Sequence, residues 1–395
     1  MGLFSLFTQL LPLPTSWLPS SGADLYRLCQ FTFLSTPLLL PVLQFIQAPH
    51  GRFAFASRFN VHGNWSWFIM EVVSPITFAV SFLSQPLTSS TDAFSLSSIF
   101  SPSLSRLGRI PTANLILGGA FLLHYLQRAV ISPWRAPPRS PMHVSVPASA
   151  IFFNLVNGFL MGSWIGGRSP AMVLPPAAFD AFGAAHSRHG IVEKVGAAMS
   201  TLSPRIIESP GLATYGFRDV ILRNPVFLLG LSGWLIGFLS NVYHDEILLD
   251  VRRPRDQRWT KVMREDRDGE DRSIGQGQKD KPKYGVPKGG LYRFISYPNY
   301  LSEWFEWLSY SIAALSVTAL SPLSPSSSTL PITPSARLVL ILTSPPFLFL
   351  LAEFCPMFPR AIEGHRWYHS RFGVEGDGKG GKYPRDRKAI FPGLL

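Results

Sequence analysis

The chain has 395 residues, of which 46% are hydrophobic and only 15% charged, whereas soluble domains carry about 25% charged residues. That balance excludes a soluble cytosolic enzyme, and the plentiful apolar area excludes wholesale disorder despite 35 Pro and 32 Gly. Two cysteines, Cys29 and Cys355, both lie in apolar runs, which leaves no disulfide framework and no cysteine-based zinc site. The net charge of +12 suits an anionic partner. The composition is that of an integral membrane protein.

Crossing ~30 Å of hydrocarbon takes about 20 mostly apolar residues in a helix. In chain order this predicts an all-α polytopic protein with seven spans, near Leu25–Phe45, Trp65–Leu83, Ala113–Ile131, Val146–Ile165, Pro225–Leu249, Tyr297–Leu320 and Arg337–Cys355. Pro37 and Pro41 weaken the first, although neighbouring helices can re-satisfy the backbone groups that a proline frees. Met1–Ser20 is apolar but lacks a basic n-region and is cut by prolines, so it does not read as a cleaved signal peptide. Leu6 stands where a myristoylation signal needs Ser or Thr. Most Lys and Arg fall in the loops after spans one, three and five and in the tail, which by the positive-inside rule puts the C-terminus in the cytosol and the N-terminus opposite.

Between the spans, Gln85–Pro111 and Ser321–Ser335 are Ser/Pro-rich and read as irregular loops. Gly166–Asn224 is long and mixed, with helical potential over Gly190–Leu202. Arg252–Lys283 is dense in both signs of charge and reads as a solvated cytosolic loop. No internal repeat is present. The organisation is an N-terminal membrane region over 1–112 and a C-terminal one over 113–395, with inserts near 166–224, 255–283 and 373–381.

Ionisable groups within spans are costly and point by default to a site facing the bundle interior. Asn241, Asp245, Leu248 and Arg252 fall at offsets 0, 4, 7 and 11, one face of a helix, and Asn299, Glu303, Glu306 and Tyr310 repeat that spacing in the next span. The third span adds His124, Tyr125 and Arg128, and the second adds Glu71 near Trp67. Each group alone is explained by an interhelical hydrogen bond or a snorkelling end. Stripes converging on one level predict a polar cavity.

Past the last span, Arg360, His365, Arg366, Tyr368 and Arg371 are followed by Lys382, Arg385, Arg387 and Lys388. Two readings stay open here: juxtamembrane basic sequence against anionic membrane lipids, or a phosphate-binding surface. The G-x-G-x-x-G match at Gly376–Gly381 has no preceding strand and reads as a flexible turn. His365 and His369 have helical i, i+4 spacing without further ligands, so no metal is expected. No nucleic-acid-binding motif is present, and no nucleic-acid partner is expected.

Three stretches carry a family resemblance. "YGVPKGGLYRFISYPNYLSEWFEWLSY" from Tyr284, "PRAIEGHRWYHSRF" from Pro359 with "KYPRDRKAIFP" after it, and "NVYHDEILLDVRRP" from Asn241 resemble, in order and position, the motifs of the steroid 5α-reductase family. Weaker echoes are "WFIMEVVSP" from Trp67 and "HYLQR" from His124. The resemblance covers roughly Leu115–Leu395 apart from the inserts and is thin before Ser66. Met70, Ser302 and Glu363-Gly364 depart from the pattern.

The resemblance implies a seven-helix membrane reductase that uses NADPH to saturate the 4,5 double bond of a 3-oxo-Δ4 steroid or related enone lipid. It implies that Glu71 and Tyr125 hydrogen-bond the 3-oxo group. It further implies that Asn241, Asp245, Arg252, Asn299, Glu303, Arg360, His365 and Tyr368 line the cofactor site, with Arg128 and Arg139 nearby by a less secure alignment. The endoplasmic reticulum is the implied membrane. The chemistry is coherent: hydride addition to an enone builds negative charge on the carbonyl oxygen, which proton-bearing donors stabilise. A glutamate serves there only if protonated, a state that burial with few positive neighbours favours, whereas a tyrosine of pKa ~10 needs no tuning. Three alternatives stay open: a trans-2-enoyl-CoA reductase-like enzyme, an S-adenosylmethionine-dependent membrane methyltransferase, and a non-catalytic protein keeping the fold.

Overall fold

In a computed structural model the described residues are 18–87, 95–174, 178, 205–208, 210–213, 224–265, 284–318, 332–373 and 383–394. The helical potential expected at Gly190–Leu202, the Gly376–Gly381 turn, Lys382 and most of the three inserts lie outside them. Eight main helices make up the described fold: α1 Gly22–Leu34, α2 Gly63–Leu83, α3 Thr112–Arg135, α4 Ser145–Ile165, α5 Pro225–Asp250, α6 Pro298–Ser316, α7 Pro334–Leu342 and α8 Pro345–Phe372. The all-α membrane architecture read from composition therefore holds.

The span boundaries differ in instructive ways. Helices α2, α3, α4 and α5 are each long and apolar enough to cross a membrane, and α7 with α8 forms a pair bent by 60° that passes the same test jointly. The expected first span is interrupted: α1 stops after 13 residues, and the chain continues as a 3₁₀ turn, Thr36–Leu39, and a short helix, Leu40–Leu43. Pro37 and Pro41 lie in those turns, where each removes a backbone donor and sterically ends the helix before it. The sixth is a helix of 19 residues, but its buried Glu303 and Glu306 make it polar on one side. The last bends at Ser344, just before Pro345 and Pro346.

Without a hydrophobic drive between spans, close approach of helices depends on small residues. Helix α5 meets α6 along Gly230, Gly233 and Gly237. A Cβ added at Gly237 would come within 2.7 Å of the Glu306 backbone, so any larger residue there would push the two polar stripes apart. The opposite side of α5 carries exposed Leu229, Ile236 and Leu239, the apolar face that lipid covers. The core between α2, α3, α4, α6 and α8 is aromatic: Phe78 stacks on Phe121 at 4.2 Å, Phe121 lies 4.8 Å from Tyr125, and Phe349 meets Trp307 edge-on at 4.7 Å.

Two small antiparallel ladders complete the described structure. One pairs β1, Asn60–Val61, with β2, Met142–His143, in the register Asn60↔His143 and Val61↔Met142. The other pairs β3, Met172–Leu174, with β4, Arg205–Ile207. The first ladder matters most, because with the His143 N–H donating to the Pro49 carbonyl it draws the chain before α2 against the segment after α3.

Candidate active site

The polar stripes converge. A cleft enclosing about 280 Å³ opens between α3, α5, α6 and α8, and its wall includes Arg128, Arg139, Asn241, Asp245, Arg252, Asn299, Arg360 and Tyr368. Five guanidiniums (Arg52, Arg128, Arg139, Arg252, Arg360) face one carboxylate, Asp245. Such a wall selects for a polyanion.

Local structure places each group. Near the end of α3 the helix widens into a π turn over Leu126–Ile131, an irregularity found often at functional sites, and Arg128 lies within it. Its guanidinium sits 3.4 Å from Glu71 and 3.3 Å from Glu303. Glu71 therefore has a cationic neighbour, contrary to the expectation from sequence. Pro75, one turn along α2, deprives the Glu71 backbone carbonyl of its helical donor. Beyond Glu303, His124 Nδ1 lies 2.7 Å from Glu306, both fully enclosed. Trp67 lies beneath both Arg128 and Arg139, at 5.6 and 4.3 Å from ring centroid to guanidinium, a cation–π arrangement that fixes the two side chains. The Arg139 backbone N–H donates to Asn64 Oδ1 at 2.7 Å.

On α6, the Asn299 amide donates to Asp245 at 2.9 Å, while its carbonyl oxygen is buried without a partner. Arg252 donates to the carbonyls of Pro137 and Pro138. On α8, Arg360 donates to the carbonyls of Ala48 and His50 and lies 3.2 Å from His50 Nδ1. Burial and the Arg360 charge hold His50 neutral, its pKa lowered to about 3. Arg139 is depressed to about 10 by burial and then by Arg252.

Tyr125 lies deeper, 2% exposed. Its hydroxyl accepts from Asn157 at 2.8 Å and faces Asn154 Oδ1 at 3.5 Å, while Asn154 donates to the Met70 carbonyl at 2.7 Å. Asn154 thus links Tyr125 to the residue preceding Glu71.

Two residues expected at the cofactor site do not reach the cleft wall. Glu303 stands behind it, bonded to Arg128. His365 turns away: its Nδ1 pairs with Ser296 Oγ at 2.6 Å, in a cluster with Tyr383 and the Lys388 carbonyl. The late basic tail is also structural, since Arg387 is buried, lies over Tyr383 and donates to the Pro287 carbonyl. Conversely, the sequence reading missed His50, Gly51 and Arg52. Arg52 packs over Tyr368, Trp367 and Tyr297 at 4.5, 4.7 and 5.7 Å and donates to the Gly364 carbonyl. Gly51 adopts φ +61°, which disfavours any side chain there. Asn154 and Asn157 were also missed, although two amides at i, i+3 in an apolar span are the signal applied to the other helices.

Fold and site define a polytopic helical membrane protein with an arginine-lined cleft backed by buried carboxyls. A family model described as 3-oxo-5-alpha-steroid 4-dehydrogenase matches residues 259–323. Similarity to individual proteins runs much further. A Schizosaccharomyces pombe protein of uncharacterised function is 29% identical over 365 residues, 90% of this chain and 94% of that one. The bovine (Bos taurus) 3-oxo-5-alpha-steroid 4-dehydrogenase 1 is 24% identical over 355 residues, 90% of each chain. The Arabidopsis thaliana steroid 5-alpha-reductase DET2 is 21% identical over 377 residues, 93% and 95% of the two chains. The chain is a homologue of the steroid 5α-reductase family.

Proposed function

We propose that the protein reduces the 4,5 double bond of a 3-oxo-Δ4 steroid or a related enone lipid, with NADPH as reductant. The observation that carries this reading is the cleft itself: five guanidiniums against one carboxylate, with Arg128 joining the cleft wall to Glu71 behind it. The donor set fits a dinucleotide. Arg52, Arg139, Arg252 and Arg360 offer forked donors to phosphate oxygens, and the unpartnered Asn299 carbonyl offers an acceptor to a carboxamide N–H. Tyr297, Tyr300 and Tyr368 line the cleft with faces suited to aromatic rings.

NADPH, when bound, supplies the hydride. The protein's own part is to bind, orient and polarise. Tyr125 takes a hydrogen bond from Asn157 on its oxygen and so turns its own proton outward, toward a substrate carbonyl. Glu71 acts as the second donor. Four carboxyls (Glu71, Glu303, Glu306, Glu353) share the field of Arg128 and His124, a charge imbalance that one proton held on a carboxyl relieves. Donors aimed at the developing oxyanion in a site shielded from water stabilise it more than water does. We place the C-terminus in the cytosol and the protein in the endoplasmic reticulum. A C-terminal reporter found on the lumenal side would overturn that orientation.

The test is NADPH consumption by purified protein across a panel of Δ4-3-oxosteroids and trans-2-enoyl thioesters. Oxidation with a steroid enone supports the reading, and oxidation with thioesters alone transfers it to acyl reduction. Binding of S-adenosylmethionine in place of NADPH would remove it.

A further inference from the structure

The last helix carries an acid that no motif of the sequence includes. Glu353 lies on α8 within the run "FLFLLAEFC", where a carboxyl facing hydrocarbon costs about 2.5 kcal/mol or more. A scaffold that tolerated such a residue would pair it. Here its Oε2 atom is buried without a hydrogen-bond partner, and no cation among the described residues forms an ion pair with it. Arg128, whose charge Glu353 feels, is already held by Glu71 and Glu303.

The placement is specific. Around Glu353, Phe349 packs against Trp307, and Phe354 lies 4.5 Å from Trp304, both on α6. Ala352 and Cys355 are buried beside it. Its charge acts on Tyr125 and Glu71, the two groups that the reductase reading assigns to the substrate carbonyl, whereas Glu353 is not among the residues lining the arginine-rich cleft. It belongs to the substrate side of the site.

We propose that Glu353 is a substrate-recognition carboxyl that accepts a hydrogen bond from a hydroxyl carried by the substrate outside its enone. This rests on the reductase reading and narrows its substrate class from enone lipids to hydroxylated ones. A hydroxyl is favoured over an ammonium group because the nearby guanidiniums repel a cation, and because a neutral donor is cheaper to strip of water on entering an apolar chamber. A buried acceptor left unpaired by a ligand lacking the donor is a strong basis for discrimination, since pockets built around a substrate hydroxyl reject analogues without one far more sharply than apolar pockets sort methylenes.

The experiment compares kcat/KM for androst-4-en-3-one with that for its derivatives bearing one hydroxyl on the B, C or D ring, in wild type, Glu353→Gln, Glu353→Leu and Glu353→Met. NADPH affinity, read by fluorescence, reports folding of each variant, and the methionine variant covers the case in which leucine does not fit. The wild type is expected to prefer at least one hydroxylated member by about tenfold or more. Gln, which keeps an acceptor oxygen, retains that preference. Leu and Met bring the ratio close to one. A wild type indifferent to all the hydroxyls, or an apolar variant with an unchanged ratio, overturns the proposal. Absence of NADPH oxidation with every member in folded wild type removes the reductase reading itself, a different result from loss of selectivity.

Discussion

Asn157 offers the sharpest test of how Tyr125 is set. Both protons of its amide are committed, one to the Tyr125 hydroxyl oxygen at 2.8 Å and one to Ser74 Oγ at 3.1 Å, in a side chain with no solvent exposure. The other contact of the tyrosine hydroxyl, to Asn154 at 3.5 Å, is too long to hold its proton firmly. Asn157→Leu conserves volume and deletes the donor. A neutral hydrogen bond of this kind contributes about 1 kcal/mol, so kcat should fall roughly fivefold, with KM and NADPH affinity little changed. Tyr125→Phe, which deletes the proton itself, should cost on the order of a hundredfold, as loss of one oxyanion donor does. The two effects must not add: once the hydroxyl is gone, Asn157→Leu has nothing left to orient and should cost no further turnover. Steady-state kinetics on the two single variants and the double variant, with an enone that the wild type reduces, decide it. Equal losses from Asn157→Leu in the Tyr and Phe backgrounds would refute the reasoning.

Glu71→Leu should cut turnover at least about tenfold while NADPH still binds, because it removes a transition-state donor outside the cleft wall; near-normal turnover would take Glu71 out of the mechanism. Arg360→Ala should weaken NADPH binding by about tenfold or more through loss of a charged donor, measurable by fluorescence titration, and an unchanged affinity would count against its role. His50 gives a pH signature. Its folded pKa of about 3 lies below the ordinary 6.5, so below about pH 6.5 the unfolded chain takes up a proton that the folded chain refuses, and stability falls as pH drops toward 3. Thermal unfolding of the wild type should therefore lose more between pH 6.5 and 5 than that of His50→Gln, and parallel curves for the two would exclude this origin.

The spans legible in the sequence were those in which apolar length alone decides. Helices α2, α4 and α5 sit where hydropathy places them. Pro37 broke the first because no neighbouring element rescues its freed backbone, and the last bends where two prolines follow Ser344. The polar stripes of α5 and α6 were legible because helical spacing puts Asn241 with Asp245 and Asn299 with Glu303 on single faces, and those faces do meet. What spacing could not give was pairing between helices. That Arg128 would lie against Glu71, or that His365 would turn to Ser296 rather than to the cleft, depends on helix rotation, which no single segment encodes. The His50–Arg52 turn was invisible for a related reason: it sits in a loop without motif or periodicity and acquires meaning only from the α8 residues it touches.

That turn has an architectural consequence. Arg52, seated among aromatic rings from residues near 297 and 368 and tied to the Gly364 carbonyl, bridges portions of the chain separated by more than 240 positions. The segment bearing the densest signature motifs is therefore not a self-sufficient nucleotide pocket. A fragment beginning after α2 would keep those motifs yet leave one side of the hollow open to water, so minimal versions of this protein must carry the early loop along with the late helices.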